Sequence, residues 1–287
     1  MGLNTKSLLS ESQRRRILEL NREMLQIKSA APLPTPPPLK LTLDHVAPGK
    51  EIEIDGHRVY AISQSLRELH PQALSTVERF QYLFDRGGIR SQETWSEPLA
   101  VMARSDPRRL LFMDIESCGF AGRAIFLIGT MRFTGDDFVY ELLLARDYQQ
   151  EAGMLRRYAQ LLSGAAVLVT FNGRTFDEPA LQERAAVHRT ALPKPTTHCD
   201  LLVESRSRWK KELPNCKLQT LEVMLCRRRR TGDVSGSMIP QAYHQFVRTG
   251  RAGVIAQVLH HNRLDLWTLA DLGAIMLSGC DPIAVAS

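Results

Sequence analysis

The sequence predicts an α/β fold: a mixed five-stranded sheet flanked by helices, preceded by a small N-terminal module. Three observations predict it. LLFMDIE (110–116), AIFLIGTMRF (124–133) and DDFVYELLLA (136–145) are apolar runs of strand length, joined by short turns at Gly119 to Gly122 and Thr134 to Asp136. Beyond them helical and strand patterns alternate, which implies parallel pairing with helices on both faces. Before them lies EIEIDGHRVYAIS (51–63), two alternating runs around Asp55-Gly56, the pair suited to a two-residue hairpin.

The elements follow in order. Residues 8–29 carry Leu8, Ile17, Leu18, Leu20, Met24, Leu25 and Ile27 near helical spacing, giving a first helix within 1–31. Residues 32–39 hold Pro32, Pro34, Pro36, Pro37 and Pro38, a polyproline-like spacer. Residues 40–104 form the small module, with its hairpin and the helical stretch SLRELHPQALSTVERFQYLF (65–84). The α/β domain spans 105–280. After its three-strand meander, YQQEAGMLRRYAQLLS (148–163) reads as an amphipathic helix and AAVLVTFNG (165–173) as a strand. FDEPALQERAAVHR (176–189) reads as a helix, HCDLLVE (198–204) as a fifth strand, and LDLWTLADLGAIML (264–277) lies in a closing helix.

The bulk numbers are those of a globular protein: 287 residues, 44% hydrophobic and 24% charged. Lys+Arg outnumber Asp+Glu by 37 to 31, a net +6 that suits a polyanionic partner without requiring one. The five cysteines form no C-x-x-C pair and are odd in number, which argues against a disulfide framework and for reduced thiols. No apolar run approaches the roughly 18 residues that span a bilayer, so no membrane role is expected. The N-terminus lacks the apolar segment of a secretory signal, and a cytoplasmic location is the expectation.

Asp114 and Glu116 interrupt the first strand of the meander. Residues i and i+2 of a strand share a face, so the two carboxylates stand side by side. Either the strand end is solvated, or a hard divalent cation lies between them. Asp177 opens a helix just after the strand that ends at Asn172-Gly173, a place where an aspartate is ordinarily a cap, but also the carboxyl end of a strand, where α/β sheets form ligand crevices. Asp265 lies in the last helix with His261 one turn before it and His260 five residues before it.

The ordered set D-x-E, N-x-x-x-F-D and H-x-x-x-D resembles the DEDD superfamily of 3′–5′ exonucleases, built on the ribonuclease H-like fold. More narrowly, GSMIPQAYHQFVRTG (236–250), HHNRLDLWTL (260–269), NGRTFDEPAL (172–181) and LPNCKLQTLE (213–222) resemble the YprB-type ribonuclease H-like family. The resemblance covers roughly residues 105 to 280 and implies a two-metal nuclease. Asp114, Glu116, Asp177 and Asp265 would hold two Mg²⁺ or Mn²⁺ ions about 3.5–4 Å apart, one activating water and the other stabilising the leaving 3′ oxygen. His261 or His260 would be the general base, and the H-N-R-x-D pattern favours His261. Asn172 and Phe176 match positions that seat the second aspartate and the terminal nucleotide.

The substrate would be DNA or RNA, with a single-stranded 3′ end as the expected form. Structure-specific or endonucleolytic cleavage, or binding without turnover, are the other readings of this fold. Thr220 and Asp200 line the cleft or serve as cap and core residues. The run Arg227 to Arg230 offers phosphate contacts or a solvated face, and Trp209 either stacks a base or packs internally.

Overall fold

The alternating runs of the sequence assemble into one mixed sheet in a computed structural model, which describes residues 42–119 and 122–279. The helix expected within 1–31, the proline spacer at 32–39 and Cys280 lie outside the described residues. The strands are β1 (Lys50–Ile54), β2 (His57–Ser65), β3 (Leu110–Ser117), β4 (Ile125–Phe133), β5 (Phe138–Leu144), β6 (Val167–Thr170) and β7 (His198–Asp200). Their order is β1-β2-β5-β4-β3-β6-β7. Pairing is antiparallel from β1 through to β3 and parallel for β3–β6 and β6–β7. The mixed α/β architecture stands.

The sheet has seven strands rather than five, because the N-terminal hairpin joins it. β2 runs against β5 from Tyr60↔Leu144 to Ser65↔Val139, so a strand pattern expected in a separate module satisfies the open edge of the meander. Its turn is as the sequence dictates: Asp55 and Gly56 both have positive φ (50° and 75°), the condition of a two-residue hairpin loop. Tyr60 and Ile62 enter one hydrophobic layer of the sheet and Val59 the other. The last expected strand also ends sooner. β7 stops at Asp200, whose carboxylate accepts from the Leu202 amide at 3.0 Å and thereby starts a helix over Leu201–Trp209.

Ten helices are described: α1 (Leu43–Val46), α2 (Leu66–Leu69), α3 (Leu74–Asp85), α4 (Glu97–Arg104), α5 (Glu151–Ser163), α6 (Asp177–Val187), α7 (Leu201–Trp209), α8 (Leu218–Met224), α9 (Ile239–Thr249) and α10 (Ala252–Ser278). Gly250 and Gly279, both left-handed, bound the 27 residues of α10. α10 packs on β3 and β4, and α5 packs on the opposite face against β2, β4 and β5. The parity of β3 decides the site. Leu110 and Phe112 belong to the layer shared with α10, whereas Leu111 and Met113 belong to the layer shared with α5. Asp114 and Glu116 continue the first parity and therefore face α10.

Candidate active site

β3 is buried from Leu110 to Met113 and half-buried from Asp114 to Ser117, so the two carboxylates stand where the strand emerges from the core. Asn262, at zero exposure on α10, reaches across and donates from Nδ2 to Asp114 Oδ2 at 2.8 Å and to its carbonyl at 3.3 Å. Gly129 on β4 pairs with Asp114, and a Cβ there would lie 1.7 Å from Asn262 Oδ1. The glycine is the hole through which the helix approaches the strand.

β6 runs parallel beside β3, so its carboxyl end opens next to Glu116. The chain turns there through Asn172 (φ 66°), whose amide donates to Asp200 Oδ1 at 2.7 Å, while Arg174 donates to Oδ2 at 3.2 Å. Gly173 sits against Thr170, with only 2.4 Å from a notional Cβ to the threonine hydroxyl. This fastened loop delivers Asp177 as the first residue of α6, a helix that begins with no side-chain cap. Phe176, just before it, is 61% exposed.

The four carboxylates act on one another. Burial first, then the charges of Asp265, Glu116 and Asp177, hold the Asp114 carboxyl well above its ordinary range. Burial, Asp265, Asp177 and Asp233 do the same to Glu116. Burial, Asp200 and Asp265 push Asp177 up to about 7. Three of the expected acids thus come from β3 and α6, and Asp265 of α10 is the neighbour that all three feel.

Asp265 itself is held by a cation of the chain. The buried Arg230 guanidinium contacts Asp265 Oδ1, Glu222 Oε2 at 2.5 Å and Asp233 Oδ2 at 3.1 Å. His261 lies alongside, with Nδ1 2.7 Å from Asp233 Oδ1 and Nε2 3.4 Å from Asp265 Oδ2. Burial opposes its charge, but the Asp233 hydrogen bond and the Asp265 charge raise its pKa. His260 turns elsewhere, with Nε2 3.4 Å from the Thr231 carbonyl and its ring 6.1 Å from that of His70. The two histidines that the sequence left open therefore point to different surroundings, and only His261 meets the acids.

The remaining expectations divide. Asp200 anchors the loop before Asp177, with its carboxylate occupied by backbone amides. Thr220, buried within α8, donates to Asn215 Oδ1 at 2.7 Å as a core residue. Trp209 is 3% exposed and packs in the core. In the arginine run, Arg227 and Arg229 are exposed, whereas Arg228 and Arg230 turn inward to Glu222, Asp271, Asp233 and Asp265. Asp233 carried no sequence signal of a site, while Asn262 and Glu222 lie inside family-like motifs that assign them no role. Glu222 ends a quoted motif, and Asp233 sits in a Thr-Gly-Asp turn with nothing periodic around it.

The donor set suits a hard cation, since it is carboxylate oxygen with surplus negative charge enclosed by protein. Even so, among the described residues no three His, Cys, Asp or Glu side chains stand close enough together to hold an ion as they are. In this arrangement Asn262 holds Asp114 and Arg230 holds Asp265.

The RNase_H_2 family model, of the RNase H superfamily, matches residues 111–277. The chain belongs to the RNase H superfamily. Within it, the protein YprB of Bacillus subtilis (strain 168), described as uncharacterized, is 33% identical over 170 residues, 57% of this chain. That match spans 40% of the relative's own length. A family B DNA polymerase from the archaeon Pyrobaculum calidifontis aligns at a TM-score of 0.46 and 15% identity, covering 63% of this chain and 27% of that one. No helix among the described residues is long and apolar enough to cross a membrane.

Proposed function

We propose that this RNase H-like protein hydrolyses phosphodiester bonds with Mg²⁺ or Mn²⁺, removing nucleotides from the 3′ end of single-stranded nucleic acid. One observation carries the reading: Asp114, Glu116 and Asp177 are each driven toward protonation by burial and then by neighbouring carboxylates, Asp265 among them in every case, an electrostatic deficit that divalent cations would relieve. In this reading Asp114, Glu116, Asp177 and Asp265 hold two ions, with Asn262 and Arg230 ceding part of their present contacts. Bound divalent ions would supply Lewis acidity to the scissile phosphate and charge stabilisation to the leaving oxygen.

The side chains supply the rest. His261 Nε2 accepts the proton of the attacking water as its oxygen bonds to phosphorus, and the P–O3′ bond breaks to release a nucleoside 5′-monophosphate. Phe176, exposed beside Asp177, stacks on the terminal base, and Asn172 orders the loop that carries both. Residues 105–280 form the catalytic unit, with 40–104 as its bracing edge. The unpaired thiols of Cys118, Cys199, Cys216 and Cys226 favour a reducing compartment such as the cytoplasm.

The test is a cleavage panel over single- and double-stranded DNA and RNA, labelled at the 3′ end or internally, with Mg²⁺ or Mn²⁺. Mononucleotides should appear first from the 3′ label. Fragments from internal cuts would replace the exonuclease by an endonuclease. Binding without any Mn²⁺-dependent cleavage would overturn the enzymatic reading.

A further inference from the structure

We propose that Asp233 is a positioning residue, whose carboxylate holds the His261 imidazole as the Nδ1–H tautomer and leaves Nε2 bare toward the acidic cluster. The catalytic consequence rests on the nuclease reading above, but the hold on the tautomer does not.

Asp233 lies in the loop between α8 and α9, 28 residues before His261. One oxygen, Oδ1, is 2.7 Å from His261 Nδ1, and the other accepts from Arg230 Nη1 at 3.1 Å. With both oxygens engaged, the carboxylate cannot turn without breaking a charge-assisted bond. Arg230 is in turn fastened to Glu222, which also accepts from Arg228 Nε at 2.9 Å, so the anchor runs back into α8.

An ionised carboxylate only accepts hydrogen bonds, so the proton between it and the ring must sit on Nδ1. A neutral imidazole with Nδ1–H has a free lone pair on Nε2. That nitrogen stands 3.4 Å from Asp265 Oδ2, on the side of the ring where the acids gather. The reverse tautomer would set a lone pair against the Asp233 carboxylate and spend the Nε2 proton on Asp265. It could then take no proton from a water on that side. A third group fixing the base is the arrangement that makes histidine effective in hydrolytic triads, where substituting Asn for the orienting Asp leaves the geometry but supplies the wrong tautomer.

Asp233→Asn is the discriminating variant, because its oxygen can keep the Arg230 contact while its NH₂ donates to Nδ1. ¹⁵N multiple-bond NMR of the full chain, free of metal and at alkaline pH where the ring is neutral, should show Nδ1–H in the parent and Nε2–H in Asp233→Asn. With Mn²⁺ and a 3′-labelled single strand, kcat of Asp233→Asn should fall by about 10²–10⁴-fold with KM little changed. The double variant with His261→Ala should be no slower than His261→Ala alone. An unchanged tautomer, an unchanged kcat, or losses that multiply in the double variant would each overturn the proposal. An inactive parent with His261 in the Nδ1–H form would refute the nuclease reading while supporting the Asp233 hold.

Discussion

Asp114 is the residue on which the site turns, since it faces α10, accepts from Asn262 and feels three other acids. Asp114→Ala should lower Mn²⁺-dependent cleavage by at least about 10³-fold through loss of metal geometry, measured as initial rate on a 3′-labelled strand. Asp177 gives a pH prediction. Its folded-state pKa is raised from 3.8 to about 7, so its share of stability is full below 3.8 and is lost as pH rises through about 7. Thermal melts in chelator should therefore show the chain weakening across that window, and Asp177→Asn should melt several degrees higher than the parent at pH 8. The acids themselves were legible in the sequence, because a strand with carboxylates at i and i+2 is anomalous and the order of the motifs is distinctive. Asn262, Asp233 and Glu222 were not legible. Their roles depend on which loop passes over which helix, and a lone Asp in a glycine turn looks the same with or without a histidine behind it.

At the scale of elements, the approach of α10 to β3 and β4 is made possible by one missing side chain. Gly129→Ala would put a methyl 1.7 Å from Asn262 Oδ1. Such overpacking should cost about 1–3 kcal/mol, read from the denaturant midpoint. Within the arginine run, Arg228 and Arg230 are structural, turned inward to buried carboxylates. Arg230→Met would leave Glu222, Asp233 and Asp265 without their shared cation, at a cost of about 3–5 kcal/mol in unfolding free energy. Strand and helix types were readable from periodicity, and the hairpin turn from Asp-Gly. The short β7 was misread because the apolar Leu201 and Leu202 continue the run, while the switch to helix is made by a cap hydrogen bond that Asp200 accepts from the Leu202 amide.

On the whole-molecule scale, the N-terminal hairpin and the α/β domain share one sheet and its two hydrophobic layers. Phe80 of α3 sits 4.7 Å, edge to face, from Phe138 of β5, and Thr76 of the same helix donates to Asp271 and accepts from Trp267 on α10. A chain starting at residue 105 would bare the β5 edge and these contacts, so it should aggregate or melt well below the full chain in a thermal scan. The sequence showed both pieces but not their union, because which strand an edge recruits is set by distant contacts rather than by local pattern. The chain's net +6 suits a polyanionic partner without requiring one.

Two-metal chemistry in this chain requires acids from β3, α6 and α10 to form a single cation centre. Titrating Mn²⁺ into the parent and into Asp114→Asn, Asp177→Asn and Asp265→Asn, followed by electron paramagnetic resonance of the free ion, tests that directly. Binding by the parent, weakened in every one of the three variants by about 10-fold or more, is the predicted result. Parent-like binding in Asp177→Asn or Asp265→Asn, or none in the parent, would contradict it.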